Sequence, residues 1–190
     1  MAHNIQEFYR VAREKDFARQ FQFRLTQLGP LNLLSPDYFV YVESASLPGK
    51  QINNVQVPFM GLNFNIPGTE SFPNSGGYSV TFRCDQDYNI RKALEDYMEK
   101  IFTYKTSTGN YNTPSASNII EIRLLGKTGT QGGDLTELRT YRLIGAWVQS
   151  LGDINYTVGD NGAIVTFPAT LAYQYWESDV LNAEQTLPNY

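Results

Sequence analysis

The sequence is short of the groups that do chemistry. It has one histidine, His3, and one cysteine, Cys84. A single cysteine excludes an intrachain disulfide and a cysteine-built metal site. A histidine beside the terminus leaves no Ser-His or Cys-His pairing for a fixed core. The Asp and Glu residues are scattered, and no spacing among them implies a metal site or an acid/base dyad, although spacing alone does not forbid two carboxylates from meeting in space. Gly129-Thr130-Gln131-Gly132-Gly133 lacks the lysine and the helix of a phosphate-binding loop. No enzyme, cofactor or metal is expected.

Charge is also scarce. Charged residues make up 18% of the chain, the net charge is −4, and no Lys/Arg cluster occurs. Specific binding to a nucleic-acid backbone is therefore not expected. No apolar run approaches the ~20 residues a membrane-spanning helix needs. The first residues, MAHNIQEFYR, hold no apolar segment of signal-peptide type, so the expectation is a chain made in a cytoplasm and not exported by an N-terminal signal.

Aromatic residues are plentiful. They reach 14%, with 13 Tyr and 11 Phe against 2 Trp. Such side chains suit strands, and also interfaces where a ring packs and a hydroxyl stays wet. A length of 190 residues fits one domain, 1–190, with a substantial core.

The C-terminal part is the most regular. Ala163, Val165, Phe167, Ala169, Leu171, Tyr173 and Tyr175 alternate with smaller or polar residues, predicting one long strand with one buried face. Ile154, Tyr156 and Val158 predict a strand before it, joined by a Gly159-Asp160-Asn161-Gly162 turn. Leu138 to Ser150, with Tyr141, Leu143 and Trp147, predicts a third. Residues 178–190 lose periodicity and read as a tail.

Toward the N-terminus, Ile5, Phe8, Tyr9 and Ala12 recur at helical spacing. Asn4 to Glu14 is either a short amphipathic helix or a disordered arm. Phe21, Phe23 and Leu25 predict a strand, Tyr38 to Leu47 a second, and Tyr78, Val80, Phe82 and Cys84 a third, in which Cys84 is a small buried hydrophobe. Asp87 to Phe102 predicts a helix with an Ile90, Ala93, Leu94, Tyr97, Met98, Ile101, Phe102 stripe. Asp87 or Asn89 would cap it, and Arg91–Glu95 and Lys92–Asp96 would pair on its wet face. Residues 103–117 read as a polar loop, Asn118 to Gly126 as a strand, and 129–134 as a turn.

The oddest stretch is the arm at about 48–76. It combines Pro48, Pro58, Pro67 and Pro73 with many Gly and Asn, yet carries Ile52, Val55, Val57, Phe59, Met60, Leu62, Phe64 and Ile66. A loop this long is functional or disordered, and disorder disfavours so many large apolar side chains. Two readings stand: an extended arm or hairpin that docks on another molecule, or two ordinary strands covered within the same chain.

These residues resemble a known family. Asp16-Phe17-Ala18-Arg19 before an alternating strand, then Ser46-Leu47-Pro48-Gly49 leading into the arm, is similar to the tail tube proteins of contractile-tailed phages. So is the closing pattern of Gly145-Ala146-Trp147, Leu151-Gly152-Asp153-Ile154, Val165-Thr166-Phe167 and Leu171 through Glu177. The order of elements matches along nearly the whole chain. Residues 103–117 and those after Glu177 look like additions and inherit nothing from the resemblance. What it implies is a β-sandwich or barrel-like fold, mainly β, with one flanking helix near 87–102. It also implies a structural virion protein of the tail. Its subunits would form hexameric rings that stack into a hollow tube, built on a baseplate tube initiator and enclosed by the tail sheath protein. The tube would house the tape-measure protein and pass double-stranded DNA without specific binding.

The residues are compatible with that reading. Open sheet edges are templates for a neighbour, and a head-to-tail contact that closes on rotation makes a ring. The arm would reach an adjacent ring or subunit, with Leu47, Pro48, Val55, Val57, Phe59 and Phe64 as contact candidates. The alternatives are a baseplate tube initiator, a type VI secretion-like tube subunit, or a β-barrel carrier of small molecules. The carrier predicts a monomer with an internal apolar cavity.

Overall fold

Residues 4–15, 17–29, 40–109, 118–126, 136–159 and 162–180 are described by the computed structural model. The chain begins with α1 (Ile5–Lys15), β1 (Phe23–Leu28) and β2 (Val42–Ala45). A hairpin of β3 (Gln51–Phe59) and β4 (Leu62–Ser71) follows, then β5 (Tyr78–Arg83) and α2 (Asn89–Ile101). The short β6 (Phe102–Thr103) and β7 (Thr108–Gly109) form a second small hairpin. The remainder is β8 (Ile119–Leu125), β9 (Glu137–Ile144), β10 (Trp147–Leu151), β11 (Thr166–Ala172) and β12 (Tyr175–Val180).

Two four-stranded antiparallel sheets face each other. The first has the order β1-β8-β9-β12 and the second β10-β11-β5-β2. Inward-facing Leu25, Ile120, Ile122 and Leu143 of the first meet Val80, Phe82, Phe167 and Leu171 of the second in one cluster. Ile90 and Leu94 of α2 complete it. The period-two patterns of β5 and β8 and the stripe on α2 therefore point where the sequence indicates.

The C-terminal strands depart from expectation. Leu138 to Ser150 is not one strand but β9 and β10, and the run from Ala163 to Tyr175 is not one strand either. Ile144↔Tyr175 is the first pair of β12 with β9, and Trp147↔Ala172 is the first of β10 with β11. Two long stretches thus run side by side and change sheets together. One bends at Gly145, where φ is 69°, a left-handed conformation that suits glycine. The other bends at Tyr173-Gln174, and the Gln174 N–H donates to the Ile144 carbonyl at 2.9 Å across the corner. Strands that switch sheets through such bends make the corners of a two-sheet fold.

Ile154 to Val158 is not a strand, and Asp160 and Asn161 of the expected turn lie outside the described residues. β10 instead pairs directly with β11, Leu151 opposite Ala169. Tyr156 and Val158 are exposed, and the Tyr156 hydroxyl donates to that of Tyr88 at 3.3 Å. Residues 178–180, read as tail, belong to β12. Residues 181–190, 110–117 and the turn at 129–134 lie outside the described residues.

The α2 cap also differs. Neither Asp87 nor Asn89 caps it. The buried Asp85 carboxylate accepts from the Asn89 N–H at 3.0 Å, the Asn89 side-chain amide at 3.0 Å and the Ile90 N–H at 3.4 Å. A carboxylate at the positive helix end supplies cap and charge together. Arg91 pairs with Glu95 at 2.8 Å. It is not a wet-face residue, since its guanidinium lies 5.3 Å from the Phe167 ring and donates to the Gly152 carbonyl at 2.8 Å. A Lys92–Asp96 pair does not occur among the described residues.

Candidate assembly surfaces

β3 and β4 form a ribbon of their own, outside both sheets. Nine residues at ~3.3 Å each carry its tip roughly 30 Å from its root. The turn is Met60-Gly61, with φ of 49° and 79°. Two successive positive φ values are those of a type I′ turn, which matches the strand twist. Pairing sets Val55 opposite Ile66, Val57 opposite Phe64 and Phe59 opposite Leu62. Opposed residues share a face, so these six build one wholly apolar side. Gln56 opposite Asn65 and Pro58 opposite Asn63 build the other. The Asn54 side-chain amide donates to Asn65 Oδ1 at 3.0 Å, and that of Asn53 to Thr69 Oγ1 at 3.1 Å.

Among the described residues, nothing covers the apolar side. Its six residues are between 42% and 64% exposed, and Met60 at the tip is 87% exposed. The ribbon is thus a hairpin, and the reading of two strands covered within their own chain does not hold. Of the residues the sequence suggests, Val55, Val57, Phe59 and Phe64 lie together on this face. Leu47 is exposed at the ribbon's root, where it lines a separate groove with Phe23, Leu124 and Leu138. Pro48 is buried and is not part of the face. Leu62 and Ile66 complete the face; strict alternation on both arms of the turn is the signal that includes them.

A second uncovered apolar surface lies on α1. Ile5, Phe8 and Tyr9 of its stripe remain exposed, and Phe8 stacks on Phe17 beyond the helix, centroids 6.3 Å apart.

The outward face of the first sheet is ionic. Glu121 on β8 is 8% exposed. It accepts from the Thr26 hydroxyl of β1 at 2.7 Å, from Arg123 at 2.7 Å and from Arg142 of β9 at 3.2 Å. Arg142 also pairs with Asp179 of β12, and Arg123 with Glu137 at 2.6 Å. Burial opposes ionisation of Glu121, but the hydrogen bonds from Thr26, Arg123 and Arg142 outweigh it and hold its carboxyl below the usual range. A row of polar side chains therefore ties all four strands. Burial pushes the Cys84 thiol up, away from the thiolate a nucleophile needs.

No internal carrier cavity is found among the described residues. A space of about 790 Å³ beside β1 is an open cleft lined by Phe21, Arg24, Val42, Glu43 and Arg83 among others. Among the described residues, neither sheet closes, and each keeps two free edges. No group of three or more His, Cys, Asp or Glu residues fit for a metal ion occurs among the described residues.

Comparison with known proteins agrees with this geometry. The family model described as phage tail tube protein matches residues 8–179. The tail tube protein gp19 of Enterobacteria phage T4 is 22% identical over 91% of this chain and 99% of its own length. Among solved structures, the tube-terminating cap of the anti-feeding prophage superposes with a TM-score of 0.58 at 16% identity, covering 87% of this chain and 93% of that one. A chain from the sheath–tube complex of an extracellular contractile injection system superposes with 0.55 at 15%, covering 90% and 97%. The two superpositions fix the fold, and the sequence match over most of the chain fixes the lineage: this chain belongs to the phage tail tube protein family, and is a structural component of the virion tail rather than an enzyme.

Proposed function

We propose that copies of this chain join edge to edge into rings of six, and that the rings stack into the inner tube of a contractile tail. The observation that carries this is the β3–β4 ribbon, a projecting limb with one entirely apolar side that the described residues of its own subunit leave open. An exposed apolar patch of this kind marks an interaction site. Its natural occupant is an adjacent subunit or ring, because the contact then repeats along a tube. The tube would start on a baseplate initiator and lie inside a sheath, as in the solved sheath–tube complex. Its lumen would hold the tape-measure protein and later pass DNA. Arg123 and Arg142, held by carboxylates, are poorly placed to gather phosphates.

Gln51 and Ser71 are paired at the ribbon's root, so residues 52–70 can be replaced by an Asn-Gly turn without stretching the body. The shortened protein should keep its thermal transition and lose its rods in negative-stain microscopy. Rods of unchanged length would overturn the assignment.

A further inference from the structure

We propose that the β12 edge of one copy pairs antiparallel with the β1 edge of the next, in a register that sets Arg24 against Asp179 or, two residues along, Glu177. This rests on the self-assembly reading above and names the surfaces and charges that would carry it.

The free edges are not equivalent. In the second sheet β2 has four residues and an irregular register, and β10 has five and lies beside α2. In the first sheet β1 and β12 each have six. Among the described residues, neither makes a backbone hydrogen bond along its outer side. Such rows of unpaired donors and acceptors are templates for another strand.

Direction is compatible. The order β1-β8-β9-β12 is antiparallel at every step, so β1 and β12 run oppositely. Rotation about a ring axis preserves each strand's sense along that axis. β12 therefore meets the next copy's β1 antiparallel, and the alternation is unbroken around the ring. A sheet with an odd number of strands could not do this.

Charge then selects the register. Arg24 lies opposite Arg123, Arg123 opposite Thr140, and Thr140 opposite Asp179. All four share the outward face. In the adjoining row Glu121, Arg142 and Glu177 stand opposite in turn. Arg24 has no side-chain partner among the described residues, whereas its neighbour Arg123 is held by Glu121 and Glu137. Glu177 also has no partner there. One edge thus ends in an unanswered cation and the other in an unanswered carboxylate beside the half-exposed Asp179. The cleft along β1 has room for an incoming strand, and its charged lining is Arg24, Arg83 and Glu43, a net positive site. With no stagger Arg24 faces Asp179. A two-residue stagger sets it against Glu177. A one-residue slip would turn the incoming strand's faces over and lose both contacts.

The test uses the full-length protein. Arg24→Glu places like charges across the junction. It should raise the concentration needed for rods about tenfold with the thermal transition unchanged, and Arg24→Glu with Glu177→Lys should restore assembly. Separately, in a Cys84→Ser background, Arg24→Cys combined with Asp179→Cys or with Glu177→Cys should give a disulfide-linked ladder on oxidation, since opposed strand residues lie within disulfide reach. Wild-type protein that stays monomeric at high concentration would overturn the self-assembly reading and this pairing with it. Wild-type rods, with Arg24→Glu assembling normally and neither cysteine pair cross-linking, would overturn the pairing alone.

Discussion

The double substitution Val57→Asn with Phe64→Ser should separate folding from assembly. The two side chains oppose each other in the middle of the apolar ribbon face. Fully burying a Val or Phe side chain contributes about 1.5–3 kcal/mol. Val57 is 42% exposed and Phe64 48%, so a little under half of that gain remains for a covering partner, about 1 kcal/mol each. The substitutions forfeit this and place polar groups in a dry contact, at roughly 1–3 kcal/mol for each group left unbonded. Taking one such group as unbonded, the loss is about 4 kcal/mol per contact, near a thousandfold in affinity. The folded subunit should hardly notice, because the ribbon packs on neither sheet. The loss of strand propensity is under about 1 kcal/mol, or a Tm shift below about 4 °C at this size. Sedimentation velocity reads the first quantity and thermal circular dichroism the second. A Tm drop of 10 °C or more would mean the ribbon is part of the subunit's own core. Unchanged rods at wild-type concentration would mean the apolar side is not a contact.

Two further predictions concern the body. Glu121 has a folded pKa below its unfolded one, so its contribution is present above the unfolded value and is lost as pH falls through the folded value. Wild-type protein should therefore lose stability in acid below about pH 4, and Glu121→Gln should be less stable at neutral pH by about 1–2 kcal/mol, discounted because Arg123 and Arg142 are partly solvated, with a flatter acid limb in urea titrations; parallel pH profiles would refute this. Gly145→Val places a β-branched residue at φ 69° and should cost about 1–3 kcal/mol in urea unfolding, with no loss if the corner is not strained by a side chain.

Much of the core was legible because burial imposes a period. The stripe on α2 and the alternation in β5 and β8 each point to one face, and the structure buries that face. The ribbon was legible for the opposite reason: alternating apolar residues amid Pro, Gly and Asn fit neither a core strand nor a disordered loop. The corner was not legible. Phe167, Ala169, Leu171 and Tyr173 keep their parity up to the bend, so alternation gives no warning, and only Gly145 hints at it on the other strand. The Asp85 cap was hidden because it acts across Tyr88, which sits in a left-handed conformation that helix periodicity does not reveal. The ionic row was hidden because it depends on strand order: Thr26, Glu121, Arg142 and Asp179 are far apart in sequence and meet only once β8 lies between β1 and β9.

That row also bears on why the isolated sheet looks incomplete. Opposing Arg24 to Arg123 places like charges directly across a strand pair, an arrangement that weakens a sheet. Within the subunit only Arg123 is relieved, by Glu121 and Glu137. Had stability of the lone subunit been the only requirement, an apolar or acidic residue at position 24 would serve better. The arginine makes physical sense if a carboxylate arrives from the other side of β1, and among the free strand edges β12, bearing Glu177 and Asp179, is the one that carries two acids on the matching face. The apolar ribbon follows the same logic in a different chemistry, since each is a local defect that a second copy would correct.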